Sequence, residues 1–267
     1  MSRLTRYVVA LLIVGGVLLP LAPLLIWSFA DRWFFPALLP AEWTLDTWRY
    51  VVSPASRIGE ALFTSTGIAL AVVVLCVALG LPAARTLALH SFRAKGLVEW
   101  LLMAPILVPG LVVVMGLHIG LIRIGLADTA PGVVLVHLAP ALPYFILVMT
   151  GVFANYSTEL EETARTLGAS PWRTFMDVTL PAIFPGLIVA AMFTFLVSWT
   201  QYIATVLVGG GRIVTLPMVL FPLIGASNHA AAAAVSIVFV APALLILALT
   251  TRSVHRDVPS LGGMGRL

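Results

Sequence analysis

The sequence contains a single cysteine, Cys76, and a single lysine, Lys95. One cysteine excludes an internal disulfide and a thiolate metal site. A phosphate-binding loop requires Gly-Lys-Ser/Thr, whereas Lys95 follows Ala94, so the chain has no such loop. HExxH, Gly-x-Ser-x-Gly and glycine-rich dinucleotide motifs are also missing. The sequence therefore predicts no catalytic residues, no metal site and no cofactor in this chain, and argues against an enzyme.

Charge is also scarce. Charged residues make up 10% of the chain and hydrophobic residues 61%, whereas a soluble domain carries about a quarter charged residues. These proportions predict an integral membrane protein in contact with lipid. The apolar runs are continuous rather than alternating, which favours helices over a β-barrel. We assign the net charge of +4 to loops beside the membrane and predict no nucleic-acid partner.

Six segments have the roughly twenty apolar residues that a membrane-spanning helix requires. The predicted spans are Tyr7–Ala30, Ala61–Ala83, Val98–Ile119, Gly132–Ala154, Ala182–Val208 and Ala230–Thr251. The sequence thus predicts an all-α membrane protein with six transmembrane helices. We divide it into an N-terminal helix and outer loop (1–56), a transmembrane core (57–252) that contains a cytoplasmic loop (155–181), and a cytoplasmic tail (253–267).

The basic residues predict the orientation, because they concentrate in cytoplasmic loops. If the N-terminus is cytoplasmic, ten of the 15 basic residues lie inside, and both termini are cytoplasmic. The outer five are Arg32, Arg49, Arg57, Arg123 and Arg212. The outer loop holds Trp33, Trp43 and Trp48, which we interpret mainly as interfacial anchors, with partner binding as the alternative. Trp43–Trp48 is predicted to be a short helix with Thr44 as its N-cap.

A polar segment, residues 159–186, interrupts the apolar sequence between the fourth and fifth spans. Thr158 and Glu161 have the spacing of a capping box at a helix start. Leu160, Ala164 and Leu167 form one apolar stripe of that helix, and Gly168 has the position of a C′ glycine that ends it.

Ser170 and Pro171 are suited to begin a second helix. Leu180-Pro181 is predicted to end it at the membrane entrance. A pair of capped helices favours a docking element for a groove in a cytoplasmic partner over a plain linker. ATP hydrolysis, if it drives the protein, must come from such a partner.

Within this segment the chain resembles a known family. Glu162-Thr163-Ala164, then Gly168, then Val178-Thr179-Leu180-Pro181 look like the EAA–G–I-x-LP loop of permease subunits in binding-protein-dependent ABC importers. Thr163 replaces the usual alanine and Val178 the usual isoleucine. The run Ser198-Trp199-Thr200-Gln201-Tyr202, followed by Gly209-Gly210-Gly211 and Thr215-Leu216-Pro217, looks like the spermidine/putrescine-type branch.

The resemblance implies a type I ABC importer permease fold in a bacterial inner membrane. The loop would couple the chain to a dimer of cytoplasmic ABC ATPases, which hold the ATP and Mg²⁺. A second permease, preferentially a different chain, would complete the path, and an extracytoplasmic binding protein would deliver the solute. The coupling residues implied by the motif and its apolar stripe are Glu162, Ala164, Leu167, Gly168, Leu180 and Pro181.

The fifth span offers the best polar lining for a solute path, since polar solutes need polar groups in the membrane. The candidates are Ser198, Trp199, Gln201 and Tyr202. Polyamine permeases are expected to carry acidic groups near this position, where this chain has Thr200 and Gln201. The solute is predicted to be polyamine-like, with acidic groups supplied by the partner permease, or another small polar organic compound that is neutral, zwitterionic or anionic.

Two other functions remain open at this stage. An ion-coupled secondary carrier would need ion ligands at mid-membrane, for which His118 and His137 are the nearest candidates. A lone histidine in a span is more often a hydrogen-bonding group in helix packing. A membrane scaffold without transport is the second alternative.

Overall fold

A computed structural model describes residues 19–33 and 36–256, together with Thr5, residues 7–9, Leu12 and residues 15–16. Six residues of the predicted span Tyr7–Ala30 therefore lie outside the described residues, as does the end of the predicted tail beyond Arg256. The last part of that first span is helical, after a short 3₁₀ turn at Leu19–Leu21.

The described residues are mostly helical. The helices are α1 Ala22–Ser28, α2 Asp46–Val52, α3 Ile58–Leu89, α4 Lys95–Leu107, α5 Gly110–Arg123, α6 Ala130–Ala154, α7 Glu159–Thr166, α8 Pro171–Thr174, α9 Leu180–Trp199, α10 Ile203–Gly209, α11 Leu216–Gly225 and α12 His229–Arg256. Two short strands, β1 Ala30–Arg32 and β2 Glu42–Trp43, pair antiparallel. This β-hairpin was not predicted from the sequence.

Three helices of the described chain are long and apolar enough to cross a membrane: Ile58–Leu89, Ala130–Ala154 and Pro171–Trp199. The first two contain the predicted second and fourth spans. A bent pair, α4 and α5, makes a fourth span if the two helices are counted together. The helix α12 begins with a shorter apolar part, His229–Leu245. The number of six spans stays a prediction.

The predicted span Val98–Ile119 is not one straight helix. α4 ends at Leu107, and α5 leaves it at an angle of 103°. The break follows from Pro109, because proline disfavours a helical backbone in the residue before it. Val108 is accordingly extended, with φ −81° and ψ 139°.

The predicted span Ala182–Val208 is also not one continuous helix, because the helix is interrupted between α9 and α10. The hydroxyl of Thr200 donates to the carbonyls of Leu196 and Val197, at 3.0 and 3.3 Å. Threonine hydroxyls that bond back into the preceding turn bend helices and compete with their backbone bonds. α10 then restarts at Ile203 and ends at Gly209, and Gly210 and Gly211 follow with positive φ.

The chain divides into two compact units, residues 65–213 with 243–267, and residues 1–64 with 214–242. The core of the larger unit surrounds α6, whose side chains Phe145, Met149 and Phe153 are fully buried. Two glycines let neighbouring helices approach α6 closely, as small residues do in membrane proteins. A Cβ on Gly80 would collide with Phe145, and one on Gly186 with Val152.

The smaller unit contains the β-hairpin β1–β2 and the helix α2. The ring of Trp27 lies 4.8 Å from that of Trp33 and 5.0 Å from that of His229. The predicted helix at Trp43–Trp48 is displaced, since α2 runs from Asp46 to Val52. Thr44 still supports its start, because its hydroxyl accepts a hydrogen bond from the amide of Asp46 at 3.1 Å.

Candidate functional site

The start of α7 differs from the predicted capping box. Thr158 has helical dihedral angles and makes no side-chain cap. The hydroxyl of Ser157 instead accepts a bond from the amide of Glu159 at 3.3 Å. The carboxylate of Glu161 does not bond back to the helix start, because it accepts hydrogen bonds from Arg85 and Thr179 instead.

The end of α7 confirms the predicted role of Gly168. Its φ of +89° lies in the left-handed region, which favours glycine. The amide of Gly168 donates to the carbonyl of Arg165, and the amide of Ala169 to that of Ala164. This bonding pattern is a Schellman motif. The Schellman motif gives the helical hairpin α7–α8, called the hairpin from here on, a defined turn rather than a loose linker.

The second helix begins as predicted. The hydroxyl of Ser170 accepts a hydrogen bond from the amide of Arg173, and Pro171 occupies the first turn. The predicted stop at Leu180-Pro181 is wrong, because helix continues from Pro171 to Trp199. A π-helical turn, Phe175–Thr179, joins α8 to α9. Pro181 is the second residue after this π-helical turn, and a proline there donates no backbone hydrogen bond to the preceding turn.

The surface of the hairpin exposes several of the predicted coupling residues. Glu162, Leu167 and Gly168 are exposed, Ala164 is half-buried, Leu180 is half-buried and Pro181 is exposed. Leu167 has 83% of its surface exposed, and Leu160 and Trp172 have 59% and 67%. Three large apolar side chains are therefore exposed on the short polar hairpin formed by α7 and α8. We call Leu160, Leu167 and Trp172 the exposed apolar face.

Glu161 faces inward, away from solvent, and is only 4% exposed. Its Oε2 accepts a hydrogen bond from Nη2 of Arg85 at 2.6 Å, and its Oε1 accepts one from the hydroxyl of Thr179 at 2.7 Å. Burial raises the pKa of the Glu161 carboxyl, but interactions with Arg85, Thr179 and Tyr156 outweigh burial and hold that pKa below its ordinary value. The carboxylate therefore stays ionised.

Sequence reasoning missed this cluster, which joins residues 76 positions apart. One signal was present. Arg85 is a charged residue near the end of a long apolar helix, and such a residue needs a counter-charge. The capping-box pattern hid the partner, because Glu161 also has the spacing of an N3 glutamate.

A cavity of about 310 Å³ lies beside the break between α9 and α10. It is bordered by both halves of the bent pair α4–α5, by α6 and by the start of α10. Its lining includes Pro105, Gly110, Pro140 and Gln201. Among the predicted path residues, the cavity thus includes Gln201, and Tyr202 lies next to it in sequence and is half-buried.

The other two predicted path residues lie in helix packing. Ser198 is 3% exposed, and Trp199 is 2% exposed and stacks on Phe195 at 5.5 Å. Nδ1 of His137 lies 2.9 Å from the hydroxyl of Ser198, and Nε2 lies 3.0 Å from that of Thr205. These bonds confirm the interpretation of His137 as a packing residue. The path role of Ser198 and Trp199 stays a prediction.

Similarity to known proteins identifies the family of this chain. The family model for the inner membrane component of binding-protein-dependent transport systems matches residues 76–258. The chain belongs to this family. As a member, it is a permease subunit of an importer, and its relatives are transport permeases rather than enzymes.

Individual relatives differ in what their names say they transport. The diacetylchitobiose uptake system permease protein NgcG of Streptomyces coelicolor is 29% identical over 171 residues, which cover 64% of this chain and 56% of that protein. The molybdenum transport system permease protein ModB of Mycobacterium bovis is 29% identical over 215 residues, covering 75% of this chain and 80% of that protein. No preference for the spermidine branch emerges from these relatives.

The fold has a solved counterpart. A chain of a bacterial ABC transporter involved in the import of the acidic polysaccharide alginate superposes with a TM-score of 0.72. The match covers 94% of this chain and 98% of that chain, at 16% sequence identity. The protein therefore has the fold of an ABC importer membrane subunit.

Proposed function

We propose that the chain couples solute import to ATP hydrolysis through the hairpin α7–α8, which docks on a cytoplasmic ABC ATPase dimer. The exposed apolar face carries this proposal. Leu160, Leu167 and Trp172 would each gain from burial in a groove of the ATPase, at about 1.5–3 kcal/mol for complete burial of a large apolar side chain. Helix-in-groove recognition uses such anchors.

The ATPase would hold ATP and Mg²⁺, since the sequence has no phosphate-binding loop. A second permease would complete the translocation path, and we favour a different chain over a second copy. An extracytoplasmic binding protein would deliver the solute. Both termini would lie in the cytoplasm, as the basic residues predict.

The solute path would run past the cavity beside Gln201. The cavity lining contains no charged side chain, and a polyamine would leave its charges uncompensated there. This composition favours a small polar organic solute over a polyamine, unless the second permease supplies acidic groups. Gln201 would bind the solute through its amide, with Tyr202 beside it.

The transport cycle would follow an alternating-access mechanism. Closure of the ATPase dimer would push the hairpin, and the spans would tilt so that the path opens to one side of the membrane at a time. The Schellman elbow at Gly168 keeps the two hairpin helices at a fixed angle, so that a push on either helix moves both.

The proposal is tested by purifying the tagged chain in mild detergent and identifying co-eluting proteins by mass spectrometry. Wild type is compared with Glu162→Lys, which reverses an exposed charge at the dock, and with the control Glu159→Lys on the same helix. We expect an ATPase to co-elute with wild type and the control but not with Glu162→Lys. Equal ATPase recovery from all three chains, or recovery from none, would contradict the dock.

A further inference from the structure

The exposed and buried sides of α7 have separate tasks. The exposed apolar face is available for docking, whereas Glu161 binds two other parts of the same compact unit. Arg85 lies one turn before the end of α3, and Thr179 is the last residue of the π-helical turn that leads into α9. Both α3 and α9 belong to helices long enough to span the membrane.

The hydrogen bonds of the Glu161 carboxylate are short, and each of its two oxygens accepts one of them. The donor–acceptor distances are 2.6 and 2.7 Å. Thr179 is 1% exposed, so water does not compete for its hydroxyl. Charge-assisted hydrogen bonds of this length are among the strongest in proteins. A displacement of α7 therefore acts on Arg85 and Thr179 before it acts on more distant groups.

The π-helical turn adds a second route into α9. α8, the turn and α9 form one uninterrupted helix, Pro171–Trp199. π-helical turns in α-helices are rare and often lie at functional sites. Thr179 is in this turn, so its bond to Glu161 connects α7 to the point where the docking helix becomes a membrane helix.

We infer that Glu161 is a positioning residue that transmits movement of the docked hairpin to α3 through Arg85 and to α9 through Thr179. This inference rests on the proposed function, since it requires an ATPase on the hairpin. Glu162, next in sequence and exposed, would contact the partner, whereas Glu161 would carry the movement inward. The two neighbouring glutamates would thus act on different faces of the same helix.

The two branches can be broken separately. Glu161→Gln removes the charge that binds Arg85 but keeps an amide oxygen that accepts from Thr179. Thr179→Val removes the hydroxyl and preserves the shape of the side chain. The exchange Arg85→Glu with Glu161→Arg restores an ion pair of opposite sense. Glu159→Gln is the matched control, because it changes an exposed carboxylate on the same helix.

The readout is hydrogen–deuterium exchange in the purified complex of the chain with its co-eluting ATPase, with and without ATP and orthovanadate. In wild type and the control, nucleotide is expected to change exchange in α7, in residues 82–89 of α3 and in residues 175–182. In Glu161→Gln we expect the response of residues 82–89 to be lost, and in Thr179→Val that of residues 175–182. The exchanged pair should regain the α3 response.

The outcomes separate this inference from the proposed function. If no ATPase co-elutes with wild type, the proposed function fails and the inference with it. If α7 responds to nucleotide and the distal responses are unchanged in both single variants, the inference is overturned while the dock stands. Loss of ATPase binding in both single variants and in the exchanged pair would also overturn it, because Glu161 would then only support the fold of the dock.

Discussion

Glu161 and Glu162 are neighbours in sequence but have opposite environments. The carboxylate of Glu161 is buried between Arg85 and Thr179, whereas Glu162 is exposed on the surface of the hairpin. The helical period places consecutive side chains about 100° apart, so one of the two faces the protein and the other faces outward. This difference gives Glu161 a place inside the fold and leaves Glu162 accessible at the surface.

Removing the charge of Glu161 is expected to destabilise the protein. Glu161→Gln leaves Arg85 without its partner, and Arg85 is 31% exposed and so partly compensated by water. We expect a loss of roughly 1.5–3 kcal/mol, the range for a hydrogen bond to a charged group. Thermal unfolding in detergent measures it. Glu159→Gln should unfold within about 0.5 kcal/mol of wild type, as exposed substitutions do.

The pair at Glu161 also predicts a pH dependence. The pKa of Glu161 is lowered in the folded protein, so its stabilisation is fully present above the unfolded value of ~4.3 and is lost as pH falls through the lowered pKa. Arg85 and Tyr156 face the carboxylate, and His90, Glu162 and Arg165 line the adjoining pocket. We expect the difference in melting temperature between wild type and Glu161→Gln to be constant near neutral pH and to shrink in acid.

A melting-temperature difference that grows as pH falls would contradict this assignment. A constant difference across the whole acid range would also contradict it, because the Glu161 carboxyl would then have the same pKa in the folded and unfolded states.

Gly168 is predicted to tolerate few substitutions, although no neighbour blocks a side chain there. Its φ of +89° penalises any residue with a Cβ. We expect Gly168→Ala to destabilise the hairpin by roughly 1–2 kcal/mol, with a smaller effect for Gly168→Asn, because asparagine accepts left-handed conformations better. Recovery of the ATPase and thermal unfolding are the measurements.

The control for Gly168→Ala is Gly151→Ala, which lies in α6 with open space around it. Alanine is a better helix former than glycine, so this change should be neutral or stabilising by up to about 1 kcal/mol. Equal effects at the two positions would show that the left-handed elbow is not needed.

Local sequence signals predicted much of the hairpin, whereas the long-range pairing of Arg85 with Glu161 could not be predicted from local spacing. Gly168 and Ser170 act through bonds within a few residues, so their roles follow from sequence spacing. The partner of Glu161 depends on how α3 packs, and the capping-box pattern at Thr158 suggested a competing local bond. The break at Pro109 follows from the restriction that proline places on the preceding residue, which is a local signal. The break after Thr200 depends on a hydroxyl that many transmembrane helices tolerate.

His137 is expected to contribute to stability rather than to proton coupling. His137→Leu removes the bonds to Ser198 and Thr205, and bonds between membrane helices contribute about 0.6 kcal/mol each. We therefore expect a loss of roughly 1 kcal/mol in stability with no new sensitivity of ATP hydrolysis to an uncoupler in proteoliposomes. His118→Leu, at a partly exposed position on α5, is the matched control and should leave stability unchanged. An ATPase activity that depends on a proton gradient in wild type but not in His137→Leu would contradict the packing role.

The central claim, that the hairpin is the dock for an ATPase, is tested most directly by photo-crosslinking in intact cells. A photoreactive amino acid is placed at Leu167, and in a second chain at Leu38, which is 91% exposed in the predicted outer loop. Mass spectrometry identifies the attached proteins. The account predicts an ABC ATPase attached at Leu167 and none at Leu38. Absence of the ATPase at Leu167, or its attachment at both positions, would contradict it.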